Sequence, residues 1–204
     1  MTIRKGEDWG ARRSLPPEGV VAGGDAEARQ LIEECRRAGR AIPPIGLTGG
    51  DLWKALGAPS GGAARLRGDD ARTLPMDLGH VVIDGRPAWF LCHLVARRSW
   101  WLGRVVAVMN TEWLGEWRVV PRAHPNDGML ELVDGDPSLG QRWLARRRLR
   151  TGDHLPHPDL ALRRVRRTEL RFDRPTDVYL DGVRAGRACV LEVSIEPDAL
   201  SVVV

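Results

Sequence analysis

The sequence predicts a small α/β lobe followed by a larger, mostly antiparallel β-sandwich lobe, and three observations support this fold class. A strand–turn–helix pattern occurs twice between residues 19 and 56, as in parallel α/β units. From Met76 onward, short apolar runs alternate with Asp-Gly turn signals. The composition, 43% hydrophobic and 28% charged, is that of a globular chain able to bury a core. We therefore expect one lobe over residues 1–75 and a second over residues 76–204.

The first strand–turn–helix unit follows a polar arm. Residues 1–18 predict an irregular arm or one edge strand, and residues 19–22 predict a short strand. Residues 26–38 predict a helix with Asp25 as its N-cap and Gly39 at its end. The apolar residues of this helix recur at intervals of three and four positions: Ala28, Leu31, Ile32 and Cys35.

The second unit repeats the pattern. Residues 42–45 predict a strand, and residues 52–56 predict a short helix that ends at Gly57. Residues 57–75 are rich in Gly, Ala, Arg and Asp and predict a connection with about one helical turn. Two such units in succession favour a parallel α/β arrangement for this lobe.

The C-terminal half has the periodicity of short strands. One helix is predicted, over residues 139–149. In the segment 189–196, apolar and polar residues alternate, so this strand should have one solvated face. The predicted strands are residues 79–83, 88–95, 104–109, 117–120, 130–133, 161–165, 168–173, 178–180, 189–196 and 201–204.

The positive charge is concentrated in two segments, 142–150 and 162–167, and the net charge of the chain is +4. These arginines are either solvated faces of a helix and a strand or a patch that meets anionic lipid headgroups or phosphates. Nucleic acid is not an expected partner, because no nucleic-acid-binding motif accompanies the charge.

Compartment and membrane topology follow from cysteine usage and hydropathy. The three cysteines are widely spaced and form no C-x-x-C pair, which favours reduced thiols in a cytoplasmic protein. The N-terminus has no apolar run typical of a signal peptide. No apolar stretch approaches the length that spans a membrane, so we expect no transmembrane segment.

Residues 106–133 contain a strand that ends in Asn, a glycine-containing turn and a P-x-A-x-x-D-G-x-L pattern. The residues that form this pattern are Asn110, Gly115, Pro121, Ala123, Asp127, Gly128 and Leu130. Four more segments carry similar motifs: MDLGHV (76–81), TGDHLPHPDL (151–160), VYLDG (178–182) and EPDAL (196–200). With these motifs in order from about residue 19 to the end, the sequence resembles the bacterial diacylglycerol-kinase family of soluble lipid kinases, in a truncated and divergent form.

This resemblance implies a fold and an activity. The family belongs to the NAD kinase/diacylglycerol kinase-like superfamily, with an ATP-binding α/β lobe, a C-terminal β-sandwich lobe and the active site between them. Its activity is the ATP- and magnesium-dependent phosphorylation of a lipid hydroxyl. The resemblance therefore implies ATP and magnesium as cofactors and a lipid substrate or anionic lipid headgroup as partner.

Two glycine-rich turns correspond to the phosphate-binding motifs of the family. The first is Gly23, Gly24 and Asp25, where Ala26 and Glu27 replace the family's Gly and Thr. The second retains three residues: Thr48, Gly49 and Asp51. Backbone N–H groups of such turns can approach phosphate oxygens, and Asp51 could hold magnesium or contact the nucleotide. Alternatively, Asp25 and Asp51 are ordinary helix N-caps.

The catalytic glutamate of the family corresponds to Val183, which can neither accept a proton nor ligate metal. Asp181 is close by, but an Asp-Gly pair is typical of a hairpin turn. The family's N-P-x-[SAG]-G motif is not found among the 22 residues before Gly23. These differences favour a degenerate kinase, and the alternative is a non-catalytic relative that binds a lipid, a nucleotide or a partner. A third hypothesis is a half-enzyme completed by another chain in a homo- or hetero-oligomer.

The P-x-A-x-x-D-G turn is a candidate cation site. By resemblance, the ligands are the Asp127 side chain and the carbonyl oxygens of His124 and Met129, which suit magnesium or calcium. The alternative is a turn without metal. His154 and His157 do not predict a zinc site, because no further ligand is near them in the sequence. The pair Trp100-Trp101 either lines a lipid-facing surface or packs in the core.

Overall fold

The computed structural model describes residues 9–148 and 159–204. This part of the chain contains four helices, α1 (Asp25–Arg37), α2 (Gly50–Ala55), α3 (Gly62–Arg65) and α4 (Leu139–Arg148). The strands of the N-terminal part are β1 (Ala11–Arg12), β2 (Val20–Ala22), β3 (Ile45–Leu47) and β4 (Arg72–Ile83). The later strands are β5 (Arg86–Phe90), β6 (His93–Arg97), β7 (Val105–Met109), β8 (Trp113–Leu114), β9 (Trp117–Arg118), β10 (Leu130–Gly135), β11 (Leu160–Val165), β12 (Arg167–Leu180) and β13 (Val183–Val203).

The N-terminal part confirms the predicted strand–turn–helix units, although the second strand is β3 at Ile45–Leu47 and not residues 42–45 as predicted. β2 and β3 are parallel neighbours, and each is followed by a helix. β3 also pairs in parallel with the end of β13, so the small α/β part continues the sheet of the C-terminal strands. The helices bury their apolar faces against these strands in one core, which includes Ala28, Ile32, Ile45, Leu47, Leu52, Met76, Leu78 and Val202.

The C-terminal part is an antiparallel sheet that wraps around a second core. The strand order of the main sheet is β1-β4-β13-β12-β6-β7-β10-β11. Apolar side chains from both halves of this order share the core: Val81 and Ile83 on β4 and Leu191 on β13 meet Leu94 on β6 and Val106 on β7. The α/β plus β-sandwich fold class is therefore confirmed.

Two pairs of predicted strands are in fact continuous. The segments 168–173 and 178–180 both belong to β12, and the segments 189–196 and 201–204 both belong to β13 except for the last residue. Shifts of register interrupt the pairing without ending the strands, between Arg171 and Thr176 on β12 and between Glu196 and Leu200 on β13. Such irregularities bend a strand and look like turns in the sequence.

Of two further strand predictions, one is wrong and one is confirmed. The predicted strand 88–95 is two strands, because the N–H groups of Leu91 and Cys92 donate to the buried carboxylate of Asp181 instead of a neighbouring strand. The predicted edge strand in the N-terminal arm is confirmed as β1, which pairs with β4. β4 itself runs across residue 76, where we place the boundary between the lobes.

The outer face of the sheet is covered by a second layer. The β8–β9 hairpin packs on this face, where Leu114 and Trp117 form a separate apolar cluster with Val95, Ala107 and Val133. α4 borders the same face through Arg142 and Ala145, which line a pocket together with Ala107 and Val133. Trp100 and Trp117 meet edge to face in this layer, with ring centroids 5.5 Å apart. None of the helices in residues 9–148 and 159–204 is long and apolar enough to cross a membrane.

Candidate functional site

The two glycine-rich turns lie side by side because they follow neighbouring parallel strands. The Thr48 N–H donates to the Ala22 carbonyl oxygen at 3.1 Å, and the Thr48 hydroxyl donates to the same oxygen at 3.3 Å. A Cβ atom at Gly49 would lie 2.6 Å from the Gly23 carbonyl oxygen, so only glycine permits this approach. The structure therefore brings together the two predicted phosphate-binding turns.

Asp25 joins the two turns. It is the first residue of α1, and the N-cap is Gly24, so the expectation that Asp25 caps its own helix is wrong. Its carboxylate instead accepts the N–H groups of Asp51 and Leu52, the latter at 3.1 Å, in the first turn of α2. Burial raises the pKa of Asp25 above its ordinary value, against the effect of these two N–H groups. Gly50 is glycine because a Cβ atom there would lie 2.6 Å from the Asp25 carboxylate oxygens.

Glu27 accepts a hydrogen bond from a backbone N–H group of the first glycine-rich turn. Its carboxylate accepts the Gly23 N–H at 2.7 Å, from the first turn of α1. Backbone N–H groups at a helix N-terminus are the groups that bind phosphate oxygens in such turns. In this chain an internal carboxylate takes that donor and adds negative charge where a phosphate would approach.

Asp51 binds a hairpin instead of capping α2, so the expectation of an N-cap is wrong here too. The N-cap is Gly49, and one Asp51 carboxylate oxygen accepts the Gly115 N–H at 2.8 Å. The Lys54 ammonium donates to the Gly115 carbonyl oxygen at 3.0 Å and lies 3.8 Å from the Trp113 ring centroid. The tip of the β8–β9 hairpin is thus held by α2.

Asp181 is a turn residue whose side chain is fully buried. Its φ of 46° and the φ of 79° at Gly182 confirm a tight hairpin between β12 and β13. Its carboxylate accepts N–H groups of Leu91 at 2.9 Å, Cys92 at 2.8 Å and His93 at 3.2 Å. Burial, followed by the negative charge of Asp25, raises its pKa to about 7, although the three N–H groups oppose the shift.

His93 lies between two of these carboxylates. Its Nε2 is 3.5 Å from an Asp51 oxygen, and its Nδ1 is 3.6 Å from an Asp181 oxygen. Burial lowers the pKa of His93 to about 4, with Asp51 acting in the opposite direction, so the imidazole is neutral at pH 7. The adjacent Cys92 thiol contacts Asp25, and burial raises the pKa of that thiol well above its ordinary value.

We call the group formed by Asp25, Asp51, Cys92, His93 and Asp181 the carboxylate cleft. Sequence reasoning missed Cys92 and His93 and treated Asp181 only as a turn residue. Local patterns carry no signal for this cluster, because Asp181 meets its partners 88 to 90 positions away in the sequence. Val183 lies two residues after Asp181 at the start of β13 and is 44% exposed.

A magnesium–nucleotide complex does not fit the carboxylate cleft as it is arranged. Both oxygens of Asp25 and one oxygen of Asp51 accept backbone N–H groups, and the Gly23 N–H is bound by Glu27. Magnesium needs several free oxygen ligands, and phosphates need free donors. Within residues 9–148 and 159–204, no three His, Cys, Asp or Glu side chains are grouped as metal ligands.

The candidate cation turn is held by the chain's own groups. One Asp127 oxygen accepts the Met129 N–H at 3.0 Å, and the other is bound by the Arg164 guanidinium. The His124 ring accepts the Asn126 N–H at 3.2 Å through Nδ1. Burial raises the pKa of Asp127, and Arg164 opposes this shift. Because Asp127 already has a cationic partner, the turn does not fit a metal ion in this arrangement, and metal ligation there stays a prediction.

A buried aspartate outside the predicted site holds the same turn. Asp77 accepts the Gly128 N–H at 2.7 Å, the Asp198 N–H at 2.9 Å and the Asn126 side-chain amide at 3.3 Å. Burial raises the pKa of Asp77 above its ordinary value. The segment 151–158, with His154 and His157, lies outside the described residues.

An apolar pocket of about 140 Å³ lies under α4, on the outer face of the sheet. Its residues are Trp100, Trp101, Val105, Ala107, Leu114, Trp117, Val119, Val133, Pro137, Arg142, Ala145 and Leu160. The wall therefore combines strand residues with tryptophans from the β6–β7 loop and from the β8–β9 hairpin. Trp100 and Trp101 both line this pocket. Trp100 also packs against the apolar cluster of Val95 and Ala107, whereas Trp101 is 43% exposed.

Arg142 closes one end of this pocket and is not a surface residue, contrary to the expectation for segment 142–150. Its guanidinium donates to the carbonyl oxygens of Pro137 at 2.7 Å, Trp100 at 3.1 Å and Gly103. It also pairs with Asp136 at 2.8 Å. These bonds fix α4 to the β6–β7 loop.

Comparison with known families identifies the family of the β-sandwich part. A family model described as the YegS C-terminal NAD kinase beta sandwich-like domain matches residues 77–204. The chain belongs to this family. A sequence search of curated proteins found no match.

Three solved structures from Bacillus anthracis str. Sterne have similar folds and are named as diacylglycerol kinases, two of them provisionally. Their TM-scores are 0.69, 0.61 and 0.66 at sequence identities of 14%, 15% and 13%. Each match covers 91% of this chain and 77%, 75% and 77% of the respective neighbour. Identities this low show a shared fold, and with the family match they confirm the resemblance read from the motifs.

Proposed function

We propose that this YegS-family protein binds an apolar, lipid-type ligand in the tryptophan-lined pocket and has little or no phosphoryl-transfer activity. The pocket is the observation that carries this proposal. Its wall is almost entirely apolar, and the exposed side of Trp101 gives access from solvent. Small-molecule sites are typically lined by apolar and aromatic side chains, with volumes of about 300–1,000 Å³. At about 140 Å³ this pocket would take part of an acyl chain and leave the rest of the lipid outside. The solved neighbours named as diacylglycerol kinases make a lipid the expected ligand class.

The arrangement of the carboxylate cleft supports the loss of transfer. Phosphoryl transfer depends on positioning the phosphates and on a group that receives the hydroxyl proton. Glu27 binds the Gly23 N–H, and Asp25 is engaged by α2. Val183 supplies no proton acceptor at the position that resembles the family's glutamate. The three free cysteines are consistent with the cytoplasmic location that we expect.

The second candidate function is an active lipid kinase that uses ATP and magnesium. One observation favours it: Asp51 and His93 lie 3.5 Å apart, a carboxylate next to a neutral imidazole that could accept a proton. In this reading ATP would enter only after Glu27 releases the Gly23 N–H. A partner chain that completes the nucleotide lobe is a variant of this candidate.

Lipid binding is tested by fluorescence, because three tryptophans line the pocket. Diacylglycerol with brominated acyl chains in detergent micelles should quench this fluorescence in a saturable manner. Ala107→Leu places bulk in the pocket and should weaken quenching at least tenfold. Ala161→Leu is the matched control, because Ala161 is exposed on β11. Equal quenching in wild type and Ala107→Leu would refute ligand binding in the pocket.

Catalysis is tested by transfer of labelled phosphate from ATP to a panel of lipids. We expect no transfer by the purified protein, and Val183→Glu should not restore it, because the phosphate-binding turn is still occupied. Removal of a general base alone costs about 10²–10⁴ in rate. Robust turnover that Asp51→Ala abolishes would overturn the inactive reading and support the kinase candidate.

A further inference from the structure

A second groove, rich in arginine, lies next to the β6–β7 loop. Its volume is about 550 Å³, and its wall has four arginines against two aspartates. The arginines are Arg98, Arg104, Arg171 and Arg174, and the aspartates are Asp136 and Asp173. These arginines come from the β6–β7 loop and from β12, so no single segment of the sequence contains them.

Part of this charge is neutralised within the protein and part is not. Arg104 forms two hydrogen bonds of 2.7 Å with the Asp134 carboxylate, and Asp136 pairs with Arg142. Arg98 and Arg174 are exposed, and within the described ranges neither forms an ion pair. Arg171 pairs with Glu169, and Asp173 in the same wall forms no ion pair within the described ranges. The groove thus presents two unpaired guanidinium groups against one unpaired carboxylate, a net positive charge that favours anionic partners with phosphate geometry.

Large apolar side chains are exposed beside the groove. Trp101 is 43% exposed and Leu102 is 65% exposed in the β6–β7 loop. On α4, Trp143 is 58% exposed and Leu144 is 43% exposed. Arg142 joins the two elements through the carbonyl oxygens of Trp100 and Gly103. We call this surface the docking face, formed by Arg98, Trp101, Leu102, Trp143, Leu144 and Arg174.

Basic and aromatic residues together identify the partner by its chemistry. Tryptophan and leucine are stabilised at the boundary of headgroups and acyl chains, and arginine is attracted to anionic lipids. The sequence of α4 adds to this attraction, because it contains three arginines besides the buried Arg142 and no acidic residue. A free anion would engage the arginines but leave the exposed tryptophans and leucines in water.

We propose that the docking face holds the protein on the surface of an anionic lipid bilayer. The lipid phosphates lie in the arginine groove, and Trp101 and Leu102 enter the interface. This inference deepens the proposed function and rests on it in one respect: Trp101 belongs both to the docking face and to the apolar pocket, so a lipid can pass from the bilayer to the pocket. Docking itself does not require that transfer.

Co-sedimentation of the full chain with vesicles tests docking. We expect binding to mixed phosphatidylglycerol–phosphatidylcholine vesicles, little binding to phosphatidylcholine alone, and weakening with added salt. Arg98→Gln/Arg174→Gln should weaken binding about 25-fold, at roughly fivefold per arginine near such a surface. Leu102→Ser should weaken binding without removing its dependence on salt. The matched control is Arg163→Gln/Arg166→Gln, which changes two exposed arginines near β11 and should stay within about twofold of wild type.

Each contrary outcome is distinguishable. Equal loss in both double variants would mean diffuse charge attraction and would overturn the docking face. Equal binding to neutral and anionic vesicles would overturn it as well. Displacement by inorganic phosphate, beyond a chloride control of equal ionic strength, would indicate a free-phosphate site and refute bilayer docking. Arg98→Gln/Arg174→Gln should retain lipid quenching in micelles, and Ala107→Leu should retain vesicle binding, so failure of one proposal leaves the other testable.

Discussion

The carboxylate cleft and the apolar pocket both border the β8–β9 hairpin, and they differ in how many of their polar groups already have hydrogen-bond partners. In the cleft, Asp25, Asp51 and Asp181 all accept backbone N–H groups of the chain itself. In the pocket, about 140 Å³ is left open between apolar side chains. Polar groups whose hydrogen bonds are formed within the chain stabilise the fold. Apolar surface that the chain leaves uncovered can still be buried by a ligand, and this burial favours binding.

The comparison indicates that the polar residues shared with the kinase motifs now serve mainly as structural links. Asp51 holds the hairpin that forms one wall of the pocket, through the N–H of Gly115. Asp181 fixes the start of β6, whose outer face carries Val95 in the same apolar cluster as the pocket. Asp51, which by resemblance belongs to a phosphate-binding motif, therefore has a structural role in the wall of the apolar pocket. The following predictions test that division, from the largest expected effect to the smallest.

Asp181→Ala should destabilise the protein most. It leaves three buried N–H donors, those of Leu91, Cys92 and His93, without an acceptor. Unsatisfied buried donors cost about 1–3 kcal/mol each and do not add fully, so we expect about 3–5 kcal/mol. Urea unfolding measures the change, and Asp181→Asn, which keeps one acceptor oxygen, should lose less. A loss below about 1 kcal/mol for Asp181→Ala would contradict the structural role.

The cleft should also set how stability depends on pH. Asp181 has a raised pKa of about 7, so its stabilising contribution is present below pH 4 and is lost as pH rises toward 7. His93 has a lowered pKa of about 4, so its contribution is present above pH 6.5 and is lost as pH falls toward 4. The two slopes oppose each other, each by up to about 1.4 kcal/mol per pH unit.

Single substitutions should separate these slopes. Relative to wild type, His93→Gln should lose stability more steeply as pH rises from 4 to 7, and Asp181→Asn should lose it less steeply or gain it. Urea midpoints at several pH values provide the measurement. Unchanged pH profiles in both variants would show that neither group titrates differently in the folded and unfolded states.

Arg142→Lys should weaken the wall of the pocket. Lysine cannot reproduce the planar set of bonds to Pro137, Trp100, Gly103 and Asp136, so buried acceptors are left unpaired. We expect a loss of about 2 kcal/mol together with a red shift of tryptophan fluorescence as α4 loosens. Arg86→Lys, at the exposed start of β5, is the control. If both variants were equally stable, α4 would not depend on Arg142.

Glu27→Ala should have the smallest effect. The bond to the Gly23 N–H is exposed, so its loss costs about 0.5 kcal/mol. Millimolar Mg-ATP should still shift the melting temperature little, because the oxygens of Asp25 remain engaged by α2. Glu18→Ala is the control. A shift on the order of 5–10 °C in Glu27→Ala alone would show that Glu27 by itself blocks a competent nucleotide site.

Periodicity and motif order predicted much of the fold and part of the site. The two strand–turn–helix units, the switch to antiparallel strands and the edge strand in the arm were all evident, because each depends on neighbours in the chain. The pairing of the two glycine-rich turns was also implied, since parallel strands bring their following loops together. The continuity of β12 and β13 was missed, because a bulge and a turn have the same residue preferences.

The sequence by itself determined the fold class and the family, because these are recorded in local pattern and residue identity. It also predicts that Val183 stands where the family has its glutamate. Only the tertiary structure decided what the retained groups do. Asp25 holds α2 and not its own helix. Asp181 binds the segment from Leu91 to the start of β6, about 90 positions away, and Arg142 of α4 is buried against the β6–β7 loop. The arginine groove likewise gathers Arg98 from the β6–β7 loop and Arg174 from β12. The physical reason is that hydrogen bonds and ion pairs form at about 3–4 Å between residues that can be far apart in the sequence. Sequence patterns record only the periodicity of helices and strands, which depends on neighbouring residues.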